Sequence, residues 1–257
     1  MPVVSDHPFQ KKLILPDADA IVWRFMPITA FLATIQTGEL AFGRADKMND
    51  WWEGVYSDPA LEEDDLEPGE EVTSPLPFGG IRHELRQLVN LNCWYVSDIE
   101  SFGMWEVYKR GGQGVGIRST WGKLTESIDP HSKRSVFAGR VEYVNYLEKR
   151  IRGRHLTSPF FYKRLPFRSE QEARLVIGGA TFSKTGDPDE NGMYNDVLEL
   201  APIPMKVDIN LRNLVDEVVI APDSGEWALA VVQRCVTLEG FHWNVKPSSL
   251  DAQLWRA

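Results

Sequence analysis

The chain has 257 residues, 43% hydrophobic and 25% charged, a length at the upper edge of what one hydrophobic core supports. Its net charge of −9 argues against an undirected nucleic-acid binder, though not against a local basic cleft, and the acidic excess gathers between Glu62 and Glu71. Cys93 and Cys235 have no Cys or His at ligand spacing, which excludes a zinc motif, and no apolar run nears the ~20 residues of a membrane helix. With no apolar stretch in the first dozen residues to act as a secretory signal, the expected compartment is the reducing cytosol.

Residues 20–26, dense in β-branched and aromatic side chains, predict a strand that Pro27 ends. Ile28, Phe31, Leu32 and Ile35 recur at helical spacing, and Gly38 stands where a helix C-terminal glycine belongs. Residues 39–43 return as a second strand. Residues 57–80, rich in Pro, Gly and acids, read as a long loop or flap. Next come a helix over 81–89, a buried strand over 91–96, one or two helical turns over 104–109, and strands over 115–118 and 136–146. The glycines from Gly111 to Gly116 lack the Lys-Ser/Thr ending of a phosphate loop and read as a tight turn. Residues 150–168 are basic and aromatic, a pattern that fits either base stacking with phosphate contacts or a solvated face. A strand over 175–177, a polar mobile loop over 182–194, and a strand, helix and strand over 217–220, 227–238 and 243–246 complete the chain. These elements predict a single α+β domain with a mixed, mostly antiparallel sheet and flanking helices.

Chemistry concentrates at three places. Arg24 lies inside an apolar strand between Trp23 and Phe25, where a guanidinium calls for a fixed carboxylate or a phosphate-bearing ligand; Asp46 and Asp50 are candidate partners. Glu170 and Glu172 stand one residue apart before an apolar run, so on extended backbone both carboxylates share a face. Two such groups push their pKa values apart and suit acid–base work; the alternative is a strand start paired to Arg168 or Arg174. Ser97 ends the strand that begins at Asn92, as a ligand-facing hydroxyl or as a plain turn residue. Asp46, Asp50 and Glu53 form an acidic cluster that could hold Mg²⁺ with the glutamates, but Arg174 stands where a metal-dependent nuclease would want Lys, and no metal is expected.

Val22-Trp-Arg-Phe-Met26, Arg44-Ala-Asp-Lys47, Asp50-Trp-Trp-Glu-Gly54, Asn92-Cys-Trp94, Glu100-Ser101, Met104-Trp105, Tyr108, Lys163-Arg164 and Glu170-Gln-Glu-Ala-Arg174 together resemble a bacterial and archaeal domain-of-unknown-function family, some of whose members lie near phage-defence genes. This chain departs from that pattern with Trp51-Trp52 for Pro-Phe. It also has Tyr95 for a His, which matters because Tyr titrates near ~10. More distantly, the order of Arg24, Ser97 and Glu170-x-Glu172 resembles the Arg–Ser–Glu arrangement of ADP-ribosyltransferases, without their Ser-Thr-Ser. That resemblance implies NAD as the cofactor, Arg24 on a phosphate, Ser97 on the nicotinamide ribose, Glu172 opposite a developing oxocarbenium ion and Glu170 orienting the acceptor. Arg44, Tyr95, Trp105 and Lys163 join Arg24 as candidate nucleotide-binding residues. The expected function is nucleotide-dependent group transfer to a protein or nucleic-acid acceptor in stress or phage defence, with no membrane partner. The alternatives are a nucleotide- or nucleic-acid-binding module without chemistry, or the nuclease.

Overall fold

The computed structural model describes residues 3, 5–55, 86–109, 112–129, 135–149, 151, 155–178, 180–185, 195–200 and 203–251. The chain opens with strand β1 (Ile21–Pro27), helix α1 (Ile28–Thr37) and strand β2 (Glu39–Arg44). Pro27 starts the helix, and Gly38 closes it at φ 69°, a left-handed position that glycine takes without strain. Then come β3 (Val89–Val96), α2 (Phe102–Tyr108), β4 (Gly114–Thr120) and α3 (Trp121–Ser127). Ser101 and Thr120 cap the two helices by accepting from the backbone N–H groups of Met104 and Lys123. Strands β5 (Val136–Arg140), β6 (Glu142–Val144), β7 (Tyr162–Arg164), β8 (Glu172–Gly178), β9 (Ala180–Thr185), β10 (Asn195–Leu200) and β11 (Met205–Asp208) follow. Helix α4 (Leu211–Leu214), β12 (Glu217–Ile220), α5 (Glu226–Leu238) and β13 (Asn244–Pro247) end the described chain.

This is the α+β layout that the sequence predicts. Nine strands form one sheet, antiparallel throughout except for the β12–β13 pair; β9–β10 and the parallel β6–β7 stand apart. One sheet face carries Val22, Trp94, Ile117, Leu175 and Val218 into the main core with Phe31 and Ile35 of α1 and Val232 of α5. The opposite face carries Trp23, Phe25 and Tyr95 against Trp105 of α2. Among the described residues, no helix is long and apolar enough to cross a membrane.

Strand β3 is the junction of the sheet. One edge pairs with β8 from Val89 to Tyr95. The other edge is shared: Asn90 and Leu91 pair with β2, while Tyr95 and Val96 pair with β1. Between them the two neighbours splay apart, and side chains fill the fork. Asn92 donates to the Ala41 carbonyl and accepts from the Trp94 indole, and the Cys93 carbonyl accepts from Arg24. Polar groups thus stand in for the missing ladder bonds of a buried strand.

Three predicted elements differ from the structure. The stretch read as one strand over 136–146 is two, broken at Val141, whose N–H bonds the Glu172 carbonyl. Strand β3 begins at Val89, where a helix end was expected; residues 81–85 lie outside the described residues, as does the expected flap over 57–80. The polar loop over 182–194 contains instead the end of β9, which pairs with β10 residue by residue, so backbone hydrogen bonds rather than apolar alternation define it. Residues 186–194 lie outside the described set.

A close approach near the start of the chain fixes the loop after β2. Gly54 sits at φ 74°, and a Cβ there would lie 2.2 Å from the Phe160 ring. Gly54→Ala is expected to lower unfolding free energy by about 3 kcal/mol, combining left-handed strain with overpacking, as read by urea denaturation. A loss under about 1 kcal/mol would mean that this loop is free to move away from Phe160.

Candidate functional site

The site grows from the first residues of β8. Glu172 and Arg174 point to one sheet face, while Ala173 and Leu175 enter the main core on the other. Gln171 takes a left-handed conformation at φ 39°, which folds the preceding 3-10 turn, Leu165–Glu170, back toward the strand. The two glutamates therefore meet through a kink rather than along the extended backbone the sequence predicts. Lys163 of β7 lies between them, donating to Glu170 and, at 2.7 Å, to Glu172 Oε1. Arg174 Nε donates to Glu172 Oε2 at 2.6 Å, and its Nη1 donates to Glu53 and to the Phe160 carbonyl. The Tyr143 hydroxyl accepts from the Glu172 backbone N–H at 2.8 Å.

Five charged groups thus share one buried cluster, with Arg174 only 1% exposed and Glu170, 31% exposed at its side chain, alone reaching well into solvent. Burial disfavours charge on Glu172, but the Arg174 and Lys163 cations outweigh it and hold this carboxyl well below its usual range. Glu170 goes the other way. Burial, and a hydrogen bond shared with Glu172, push its pKa up to about 7 despite the Lys163 ammonium beside it. Lys163 and Arg174 are driven against their own burial to more basic values by the Glu172 charge. The pair therefore holds one readily exchanged proton near neutral pH, on the carboxyl that meets water.

The other predicted residues fall in several places. Strand register sets Arg24 opposite Ile117 and in phase with Val22 and Met26, on the face away from Glu172, and its guanidinium ends on the Cys93 carbonyl in the fork. Neither Asp46 nor Asp50 is its partner: Asp46 takes Arg44 through two hydrogen bonds, and Asp50 takes Arg164 at 2.7 Å. Glu53 goes to Arg174, so the acidic cluster is divided among three cations, and no group of three metal-ligating side chains forms among the described residues. The Ser97 hydroxyl accepts from the Ile99 N–H, a local turn. Trp105 is fully buried, its indole donating to Glu100. Tyr95 lies on the glutamates' face, the register partner of Glu172.

Trp23, Phe25, Tyr95, Met104, Tyr108 and Glu172 surround a cavity of about 10 Å³, room for one water. The Tyr108 hydroxyl is raised to about 12, chiefly by burial. Sequence reasoning missed Tyr143 and the part Glu53 plays. Tyr143 carries no motif. The cue for Glu53 was Gly54, the glycine that lets its loop close on Phe160.

No family model and no curated protein matches this chain. Two solved structures of DarT from Thermus sp. 2.9 overlay on it with TM-score 0.40, covering 91% of this chain and 96% of each match. One is in complex with NAD+ at 8% identity, the other with ADP-ribosylated ssDNA at 10%. At that score the likeness bears on neither ligand nor chemistry.

Arg174→Met would leave Glu53 and Glu172 buried with the Lys163 ammonium as their remaining shared cation. The expected loss is about 3–5 kcal/mol of unfolding free energy, measured by denaturant titration, the scale for breaking a buried pair. A loss under about 1 kcal/mol would mean that the cluster is solvated and its carboxylates free to relax.

Proposed function

We propose that this chain is a nucleotide-dependent group-transfer enzyme of ADP-ribosyltransferase type, with Glu170 as its acid–base carboxylate. The observation that carries the reading is Glu170 itself: a carboxyl at the solvent edge of a buried ion cluster, raised to about 7 by burial and by the proton it shares with Glu172. A general base works best with a pKa near ambient pH. Glu172 is held ionised by two cations and nearly sealed from solvent, so its part is to set the charge and position of Glu170. Glu170 thus stays on the acceptor side, as the sequence resemblance implies, while Glu172 acts through Glu170.

The reaction that fits is transfer of a ribosyl group from NAD. The bond from ribose C1 to the nicotinamide nitrogen breaks with its electron pair leaving on nicotinamide. The acceptor's nucleophile bonds to C1, and its proton passes to Glu170. The carboxylates at the mouth would stabilise the positive charge developing on the ribose. Arg24 leaves β1 on the other sheet face and bonds the Cys93 carbonyl, so the nucleotide's phosphates would not lie on it. Because the cavity beside Glu172 admits only a water, the nucleotide would lie across its mouth.

A second reading, a binding module without chemistry, is favoured by the saturation of Glu172 and Arg174, which resembles a structural clamp. Glu170→Gln separates the two. It is expected to slow NAD turnover roughly a hundredfold or more and to abolish a rise in rate through about pH 7. A half-exposed glutamate outside any mechanism should shift stability by less than ~0.5 kcal/mol and leave turnover intact. Wild-type protein that consumes no NAD under any acceptor condition, or a Gln variant with full activity and an unchanged pH profile, removes the enzyme reading.

A further inference from the structure

Two residues other than glycine stand at positive φ among those described, Asp223 at 64° and Gln171 at 39°. Aspartate visits that region readily because its short polar side chain bonds locally; a glutamine there is uncommon and strained. Gln171 is exposed, so its own packing does not impose the turn. Such a conformation persists only where the surroundings over-determine it.

The backbone groups on either side of the turn are all engaged. The Gln171 N–H donates to the Arg168 carbonyl at 3.3 Å, the Gln171 carbonyl accepts from Val96 at 2.9 Å, and the Glu172 carbonyl accepts from Val141 at 2.9 Å. These are backbone bonds, open to any sequence. The Glu172 N–H is different: its acceptor is a side chain, the Tyr143 hydroxyl at 2.8 Å. Tyr143 and Lys163 are register partners across the parallel β6–β7 pair, so two adjacent strands deliver the hydroxyl to the Glu172 backbone and the ammonium to its carboxylate. Glu172 is 5% exposed, which leaves little water to serve its N–H instead. Burial pushes the Tyr143 pKa above the ordinary phenol range, so the hydroxyl keeps its proton and this contact is constant through neutral pH.

We propose that Tyr143 is a positioning residue of the site: by accepting from the Glu172 N–H it holds Gln171 in its left-handed turn, and the turn keeps the Glu170 carboxyl on Lys163 and Glu172. Without that oxygen the N–H would be buried and unpaired, a state relieved by rotating the Gln171–Glu172 peptide and returning Gln171 to ordinary backbone. The preceding 3-10 turn would then carry Glu170 outward into solvent. The groups it would leave are Lys163 of β7 and Glu172 of β8 in direct contact, Glu53 beside Lys163, Arg174 beside Glu172, and Tyr108 of α2 within range of its charge. Burial and the hydrogen bond with Glu172 are the largest causes of the raised Glu170 pKa, so leaving them lowers it; losing Lys163 acts the other way and is smaller. As a statement of geometry this stands alone; as a part of catalysis it rests on the transfer reading above.

The test is an NMR titration of the glutamate carboxyl carbons in the full chain, with Glu170 assigned by the resonance that Glu170→Gln removes. Wild-type Glu170 should titrate at about 7. Tyr143→Phe keeps the ring and removes the oxygen, and should make Glu170 roughly tenfold more acidic or further. Gln171→Val, a β-branched residue unsuited to positive φ, should give the same fall with Tyr143 intact. Gln171→Gly takes the turn without strain and should hold Glu170 near its wild-type value; combined with Tyr143→Phe it should restore most of the loss. Where NAD is consumed, the rise in rate through about pH 7 should move to lower pH in Tyr143→Phe, since the base ionises earlier. An ordinary carboxylate titration in the wild type, an unchanged one in folded Tyr143→Phe or in Gln171→Val, or a double variant as acidic as Tyr143→Phe alone would each overturn the proposal. If Tyr143→Phe does not fold, Gln171→Val decides it. Failure of the transfer reading looks different: the titrations behave as described while NAD is not consumed.

Discussion

The buried guanidinium of Arg174 is the interaction on which the functional end of this molecule turns. It joins three segments far apart in sequence: the loop after β2 through Glu53, the start of β8 through Glu172, and the turn before β7 through the Phe160 carbonyl. A cation this deep is tolerable only when its donors meet acceptors, and here both a carboxylate pair and a carbonyl do so. The requirement propagates outward. Glu53 reaches Arg174 because Gly54 lets its loop lie on Phe160. Glu172 is held charged by Lys163 and Arg174, while Glu170 faces water with its pKa raised by burial and by its hydrogen bond with Glu172.

The fork in the sheet complements this cluster. Strand β3 gives one whole edge to β8, which fixes Tyr95 beside Glu172 and Cys93 beside Arg174. Its other edge is divided between β1 and β2, and Arg24 closes the gap through the Cys93 carbonyl. The Cys93 thiol, partly buried between the fork and the ion cluster, has its pKa pushed up to about 12, first by burial and then by the Glu172 charge. It therefore stays protonated and packs as an apolar group rather than acting as a nucleophile. The fork holds Arg24 on the Cys93 carbonyl, on the face away from the glutamates.

Most of the sheet was legible because its strands alternate or run apolar: β1, β3, β12 and the core of β8 carry β-branched and aromatic residues whose burial demands those elements. Helix α1 was legible from its apolar spacing and its terminal glycine. The site was legible only in part. Glu170, Glu172 and Lys163 do converge, but their convergence depends on the left-handed turn at Gln171, a conformation that Gln does not announce. Arg44 and Trp105, candidate ligand residues in the sequence, each have a partner within the fold. A charge or an indole in a motif says nothing of its partner, and here Asp46 and Glu100 are already in place. Such pairings are tertiary facts, set by loop geometry that composition does not encode.

Stability and chemistry oppose each other at the glutamate pair, and the direction follows from the two shifts. Glu170 has a raised pKa, so its protonated form is favoured by the fold. The stability it lends is fully present below the usual carboxylate range and is lost as pH climbs through about 7. Glu172 is depressed, so its contribution is present above the ordinary carboxylate pKa and is lost only in strong acid. In the neutral range Glu172 is therefore constant, and the change belongs to the shared proton. Deprotonating Glu170 places a second negative charge beside Glu172, which the single ammonium of Lys163 must neutralise alone, since Arg174 is committed to Glu53 and Glu172. The base-competent state is thus the less stable one. An incoming cationic centre, such as the ribose carbon as it parts from nicotinamide, would relieve that excess charge, so the cluster is arranged to favour positive charge forming at the mouth beside Glu170.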